Sequence, residues 1–342
     1  MRRRVLVAMS GGVDSSIAAL ILKESGYDVI GVTLKLFPSN GIEDARRVAA
    51  EIGIPHYVWD LQEVFEQRVV KNFLEEYRRG RTPNPCVLCN RDIKFDALLK
   101  RGKEIKRDFI ATGHYARVFY DYKIKKYKLF KGKYRDESYF LYLLNQEHLS
   151  HSLFPLGELN KAEVRRMAER LGLRVADKPS SQEICFITHN HYSFIKEKIG
   201  GRPGPIFDTK GNYLGEHKGI AGHTIGQRKG LGISRGKRMY IVKIDEKRNA
   251  IILGEEKEVY GKSLTARDLH LIAMEELDTP MEIEAKIRYN SRASQALLTP
   301  LDKRRVRIDF ESPQWAITPG QAVVFYKNGE VVGGATIEER IE

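Results

Sequence analysis

The segment Val5 to Ser16, VLVAMSGGVDSS, constrains this chain more than any other stretch. Val5 to Met9 is a continuous apolar run, the pattern of a parallel strand buried on both faces. Gly11 and Gly12 follow at once. Ser15 to Lys23 then carries Ile17, Leu20 and Ile21 at helical spacing, and Gly26 is a stop signal. A strand that turns through two glycines into a helix opens a βαβ unit, and the alternation continues. Val29 to Leu34 reads as a second strand. Asn40 and Glu43 suggest a capping box for a helix bearing Ala45, Val48, Ala49 and Ile52, ended by Gly53. Tyr57 to Trp59 reads as a short strand, Val64 to Arg79 as a longer helix, Ile93 to Arg101 as another helix and Phe109 to Thr112 as a strand. Strands separated by helices imply an α/β, doubly wound, mostly parallel sheet.

Leu159 to Leu171 is still helical in pattern, but after about Gly200 the chain turns Gly-rich, with short alternating strands. Examples are Arg238 to Ile244, Ile251 to Leu253, Met281 to Arg288, Arg305 to Phe310 and Gln321 to Tyr326, punctuated by turns such as Lys327-Asn328-Gly329-Glu330. At 342 residues the chain is too long for one ordinary core. The expected organisation is a catalytic domain over 1–200, a small β-rich linking domain over 201–262 and a C-terminal β-barrel over 263–342.

No apolar run approaches the roughly 20 residues a membrane helix needs. The N-terminal MRRRVLVAM has the charge of a signal peptide, but its apolar stretch stops at Ser10 with no small-residue cleavage site, so a strand and a cytoplasmic location are expected. The 58 basic residues exceed the 45 acidic ones, giving +13. Such an excess costs self-repulsion and usually serves a polyanion, nucleic acid above all. A surface rich in Lys and Glu explains the amount of charge but not its sign.

The loop Ser10 to Ser16 is built for phosphate. The glycines let the backbone approach a ligand closely, the helix start offers free N–H groups, and Ser10, Ser15 and Ser16 add hydroxyls. A glycine turn with capping serines is the plainer reading, and it loses ground because the whole heptapeptide stands between strand and helix. The loop has no lysine of the GxxxxGK[ST] kind. It resembles instead the pyrophosphate loop of N-type ATP pyrophosphatases. That resemblance implies ATP cleaved between its α and β phosphates, a carbonyl oxygen adenylated, and Asp14 helping to place Mg2+.

Three cysteines are too few, and odd in number, for a disulfide framework. Cys86 and Cys89 lie in TPNPCVLCN, a two-proline loop before a helix, where a thiol is expected to have a lowered pKa. Cys185 lies in SSQEICFI. Cys-x-x-Cys alone is ambiguous between redox chemistry, metal binding and coincidence. Taken with RTPNPCVLCN, ATGHYAR, RDESYFLY, TIGQRKGLGI and TPGQAVVFY in this order, the chain resembles the tRNA-specific 2-thiouridylases over nearly its whole length.

The resemblance implies transfer of sulfur to position 2 of the wobble uridine of tRNA, with ATP and a sulfur donor protein or sulfide. It puts ATP at Ala8, Met9, Ser10, Gly11, Gly12, Val13, Asp14, Ser15 and Ser16, with Leu34 near adenine and Gly113. Cys185 would carry a persulfide, and Cys89 would be the paired thiol that ends in a disulfide with it. Many members have Asp where this chain has Cys86. Cys86 therefore either lines the target-base pocket with Asn84 and Pro85, or joins Cys89 and Cys185 as three thiolates on a [4Fe–4S] cluster. Both schemes stand open at this point. RNA contacts are implied for His114, for Arg135, Asp136 and Glu137 (commonly Lys-Asp-Gln in the family), for Arg228 and Lys229 in the basic stretch Gly215 to Ser234, and for Arg288, Tyr289 and Gln321. The base would have to leave the anticodon stack to react. A monomer is favoured. Competing readings are another adenylating ligase of the pyrophosphate-loop type, or an RNA-binding scaffold with a vestigial loop.

Overall fold

The computed structural model describes residues 3–37, 41–173, 184–187, 191–233 and 237–341. The apolar run becomes strand β1 (Arg4–Ala8), whose Val5, Leu6 and Val7 are fully buried. It is the middle strand of a five-stranded parallel sheet with β2 (Asp28–Lys35), β3 (His56–Asp60), β4 (Phe109–Ala111) and β7 (Ser152–Leu153), in the order β3-β2-β1-β4-β7. The order reverses between β1 and β4, and ligands of open parallel sheets bind beyond the carboxyl ends of strands at such a switch point. The residues that follow β1 and β4 there are the phosphate loop and Thr112-Gly113.

Helix α1 (Val13–Glu24) leaves the loop and buries Ile17, Ala18, Ala19 and Leu22 against the sheet. Helix α2 (Ile42–Ile52) starts differently from the capping box expected of its sequence. Gly41, in left-handed conformation, holds the N-cap position without a side-chain cap, and Asn40 lies outside the described residues. The helix expected over 64–79 runs from Gln62 to Arg78 through one π-helical turn at Glu66–Val70. The helix expected from Ile93 begins earlier, at Pro85, and continues to Glu104 through a π-helical stretch at Cys89–Phe95. Cys86 and Cys89 are therefore in the first turns of a helix rather than in the loop before it. Proline suits the first helical position, and Asn84 caps it by accepting from the Cys86 N–H at 3.2 Å.

Beyond residue 200 come two β units. Strands β8 (Gly204–Asp208), β9 (Tyr213–His217), β10 (Tyr240–Asp245) and β11 (Ala250–Gly254) form one sheet in the order β10-β11-β8-β9. Strands β12 (Tyr260–Leu271), β13 (Met281–Lys286), β14 (Ser294–Pro300), β15 (Val306–Trp315), β16 (Ala322–Lys327) and β17 (Glu330–Ile341) form a barrel, closed where β12 pairs with β17. Its core includes Leu264, Leu298, Ile308, Val323 and Phe325. Asn328 and Gly329, both at positive φ, make the tight turn between its last two strands.

One connection is not visible in the sequence pattern. The hairpin β5 (Ala116–Asp121) and β6 (Lys126–Lys131) follows the switch-point strand β4, yet β6 pairs with β17 through Phe130–Glu330 and Leu129–Val331. The barrel sheet thus continues into the segment that follows Gly113. Gln321 adds a second tie, donating to the Thr82 carbonyl at 2.8 Å just before the cysteine helix. Among the described residues no helix is long and apolar enough to cross a membrane.

Candidate active site

The phosphate loop is held open by its own serines. Ser15 Oγ accepts from the Ser10 N–H and donates to the Gly12 carbonyl, both at 3.1 Å, and Ser16 Oγ donates to the same carbonyl at 2.9 Å. Gly12 is the N-cap of α1 and gives no side-chain cap, which leaves the first-turn N–H groups for a ligand. Glycine is required where backbones touch. A Cβ on Gly11, at φ +74°, would sit 2.3 Å from the Gly41 carbonyl, and one on Gly113 would sit 2.7 Å from the Ser15 nitrogen. The Met9 carbonyl accepts from Thr33 Oγ1 at 2.8 Å. Val13 is buried under the loop, and Leu34 pairs in register with Trp59 at the end of β2.

Asp14 is not a free carboxylate. Lys161 Nζ lies 2.6 Å from each of its oxygens, and the buried Tyr115 hydroxyl donates to Oδ1 at 2.7 Å. Both of its oxygens are thus occupied, by an ammonium and a hydroxyl of this chain. Neither Lys161 nor Tyr115 stands out in the sequence.

Tyr115 also faces the expected RNA residues. The Arg135 guanidinium lies 5.3 Å over its ring, its N–H donates to Glu137 at 3.3 Å, and Arg135 pairs with Glu137 at 3.1 Å. Burial, ahead of the Arg135 charge, pushes the Glu137 carboxyl above the usual range. Asp136 accepts from the Ser138 N–H and hydroxyl and so shapes the turn. Tyr289 stacks on Phe140 at 4.5 Å with Lys286 over its ring at 5.4 Å, and it feels the Glu137, Arg135 and Asp136 charges. Tyr289 therefore meets the 135–137 turn. Arg288 donates to the Trp315 carbonyl, Gln321 binds the 82–83 segment, and Arg228 and Lys229 are exposed.

The thiols converge on one helix. Cys89 is buried among Leu61, Phe65, Val69 and Ile93, and Phe186 packs into the same cluster beside the exposed Cys185. Burial pushes the Cys89 thiol up to about 12 and raises Cys86 and Cys185 as well, so the lowered pKa expected of a helix start is overturned by desolvation. Lys94, on the π-helical stretch, opposes this at all three thiols. Burial first, and the Lys94 charge after it, hold His114 well below the usual histidine range. His114 Nδ1 lies 2.8 Å from Thr112 Oγ1, next to Gly113. The charge of Lys94 thus acts on the thiols and on His114, which stands next to Gly113. Among the described residues no three His, Cys, Asp or Glu side chains are grouped to hold a metal ion.

Three family models match in succession. They are described as tRNA methyl transferase HUP domain over 3–189, tRNA methyl transferase PRC-barrel domain over 192–255 and aminomethyltransferase beta-barrel domain over 261–337. The tRNA-specific 2-thiouridylase MnmA of Halothermothrix orenii is 50% identical, across 98% of this chain and 99% of its own length. The chain belongs to the tRNA-specific 2-thiouridylase family. Other members similar to it are those of Acetivibrio thermocellus, 48% identical across 98% of this chain and 99% of that one, and Pelotomaculum thermopropionicum, 48% across 98% of each. The parallel-sheet unit, the middle β unit and the barrel of this chain fall in turn within the three matched ranges.

Proposed function

We propose that this chain makes 2-thiouridine at the wobble position of tRNA in an ATP-dependent reaction. The observation that carries the reading is the full-length 50% identity to a tRNA-specific 2-thiouridylase, in a chain whose phosphate loop follows the central strand of the parallel sheet. The working units are 1–200 for catalysis, 201–262 as linker and 263–342 for tRNA.

Uridine O2 attacks the α-phosphorus of ATP held at Ala8 to Ser16, Leu34 and Gly113. Pyrophosphate leaves and AMP stays on O2, which turns a poor leaving group into a good one. The terminal sulfur of a Cys185 persulfide attacks C2, and AMP departs with the oxygen. Cys89, as thiolate, attacks Cys185 Sγ. The bond to the transferred sulfur breaks, its electron pair stays with that sulfur, and a Cys89–Cys185 disulfide remains. If Cys89 attacks first and frees sulfide, the electrons balance in the same way. A donor dithiol then reopens the disulfide. Lys94 supplies the charge that favours these thiolates. Cys86, with Asn84 and Pro85, lines the pocket for the flipped base, and no step runs through a cluster.

The tRNA is held by His114, by Arg135, Asp136 and Glu137, by Arg228 and Lys229, and by Arg288, Tyr289 and Gln321. On this reading the enzyme is a cytoplasmic monomer, and a donor protein's persulfide passes its outer sulfur to the Cys185 thiolate, leaving the donor as a thiol. Anaerobic incubation with tRNA, ATP and a sulfur donor, without iron, tests it. Thiolated wobble uridine and pyrophosphate are expected in equal amounts, and the absence of both refutes the reading.

A further inference from the structure

We propose that Lys161 is the polyphosphate-binding lysine of this site, supplied from a distant helix to a loop that has none of its own. The inference deepens the reading of Ser10 to Ser16 as an ATP site and rests on it. That heptapeptide contains no basic residue. Phosphate loops of the GxxxxGK[ST] type place a lysine on the terminal phosphates.

Here the fold delivers one from 147 positions away. Asn160 and Glu163 form a reciprocal capping box, with Asn160 Oδ1 accepting from the Glu163 N–H at 2.9 Å and Glu163 Oε2 accepting from the Asn160 N–H at 2.7 Å. The box fixes Lys161 as the first residue of the helix Lys161–Arg170. Val164 and Ala168 of that helix are fully buried in the same apolar core as Ile17 and Ala18 of α1. Packing and cap together aim Lys161 at the first turn of α1.

Its ammonium is then held on Asp14, 2.6 Å from both oxygens, while Tyr115 fixes the carboxylate from the other side. Both members of the pair are largely withdrawn from water, with side-chain exposures of 19% and 26%. A largely buried ion pair contributes little net stability compared with apolar packing, so stability alone is a poor reason for it. Geometry offers a better one. An ammonium has three N–H donors. Asp14 takes two, and no hydrogen bond from Lys161 to another described residue is present, so one donor remains beside the first turn of α1. Asp14 thereby acts as a positioning residue for Lys161. The chemical class of ligand is a di- or triphosphate, and the charge serves both ATP binding and the departing pyrophosphate.

Equilibrium binding of ATP, inorganic pyrophosphate and adenosine to wild type, Lys161→Met and Lys161→Arg tests the assignment. Lys161→Met should weaken ATP and pyrophosphate by about tenfold or more, leave adenosine within about twofold, and be largely rescued by Lys161→Arg. Unchanged ATP affinity in Lys161→Met, or an equal loss for adenosine, overturns the proposal while wild-type ATP binding keeps the ATP site intact. Wild type that binds neither ATP nor pyrophosphate overturns both. A second measurement needs no variant. Pyrophosphate should protect Lys161 of the wild-type chain from amine acetylation, read by mass spectrometry, and adenosine should not. Equal acetylation with both refutes the assignment even if Lys161→Met does not fold.

Discussion

The Tyr115 hydroxyl donates to Asp14 Oδ1 at 2.7 Å, joining the start of the β5–β6 hairpin to the first turn of α1. Tyr115 is fully buried, and it also carries Arg135 over its ring and donates its N–H to Glu137. A single residue thus touches the phosphate loop and the turn assigned to RNA. Hydrogen bonds to charged groups contribute about 1.5–3 kcal/mol. Tyr115→Phe should therefore lower stability by about 1.5–3 kcal/mol in denaturant unfolding. It should also reduce the effect of a non-hydrolysable ATP analogue on tRNA affinity. Unaltered stability and unaltered coupling would show that the bond has neither role.

Gly113 bears on the same turn by close approach alone. A Cβ there would lie 2.7 Å from the Ser15 nitrogen and 2.8 Å from the Asp14 carbonyl carbon, both backbone atoms with no rotamer to yield. Overpacking of this kind costs about 1–3 kcal/mol. Gly113→Ala should lose that much stability and bind ATP more weakly, because the N–H groups of α1 are pushed out of place. Thermal melting and ATP titration check both, and a variant with wild-type affinity contradicts the account.

How much of the site is legible in the sequence follows from distance along the chain. The phosphate loop reads directly because strand, turn and helix are contiguous. Lys161 and Tyr115 reach Asp14 from 147 and 101 positions away, and only the sheet order brings them there. Lys94 acts on the thiols through a π-helical stretch that no periodicity announces. The cysteine segment is legible only in part. Two prolines suggest a loop, whereas Asn84 and Pro85 are the cap and first residue of a helix. The thiol pKa escapes the sequence for a different reason. A helix start favours thiolate locally, but burial is a property of the finished core. The pairing of β6 with β17 is likewise a long-range choice, invisible in the alternation of either strand.

Glu137 gives a pH signature. Burial raises its carboxyl above the ordinary range despite Arg135, so the folded chain holds that proton more tightly than the unfolded chain. Ionised Glu137 then costs stability above its folded pKa, and the cost disappears below the ordinary glutamate value. Glu137→Gln should melt higher than wild type at about pH 8 and level with it at about pH 4. A gap that widens toward acid would reverse the sign and refute this.

The exposed pair Arg228 and Lys229 should act through phosphate charge. With a net charge of +13, tRNA affinity should fall steeply and linearly on a log–log plot against salt. Replacing both residues by Gln should reduce that slope by about 2, roughly one for each phosphate no longer neutralised. A slope identical to wild type would remove them from the interface.

The thiols should separate by reactivity. Cys185 is exposed, Cys86 half-buried and Cys89 buried with its thiol pushed up to about 12. At about pH 8, on the order of one molecule in ten thousand then carries the Cys89 thiolate. Iodoacetamide should label Cys185 first, Cys86 next and Cys89 last, as read on peptides by mass spectrometry. Lys94 lowers the pKa of all three, so Lys94→Met should slow labelling of Cys185 and Cys86 at fixed pH and move their rate profiles to higher pH. Unfolding would expose Cys89, so continued protection of Cys89 in the variant separates loss of charge from loss of structure. Labelling of Cys89 as fast as Cys185 in the wild-type chain would mean that burial does not hold Cys89 neutral.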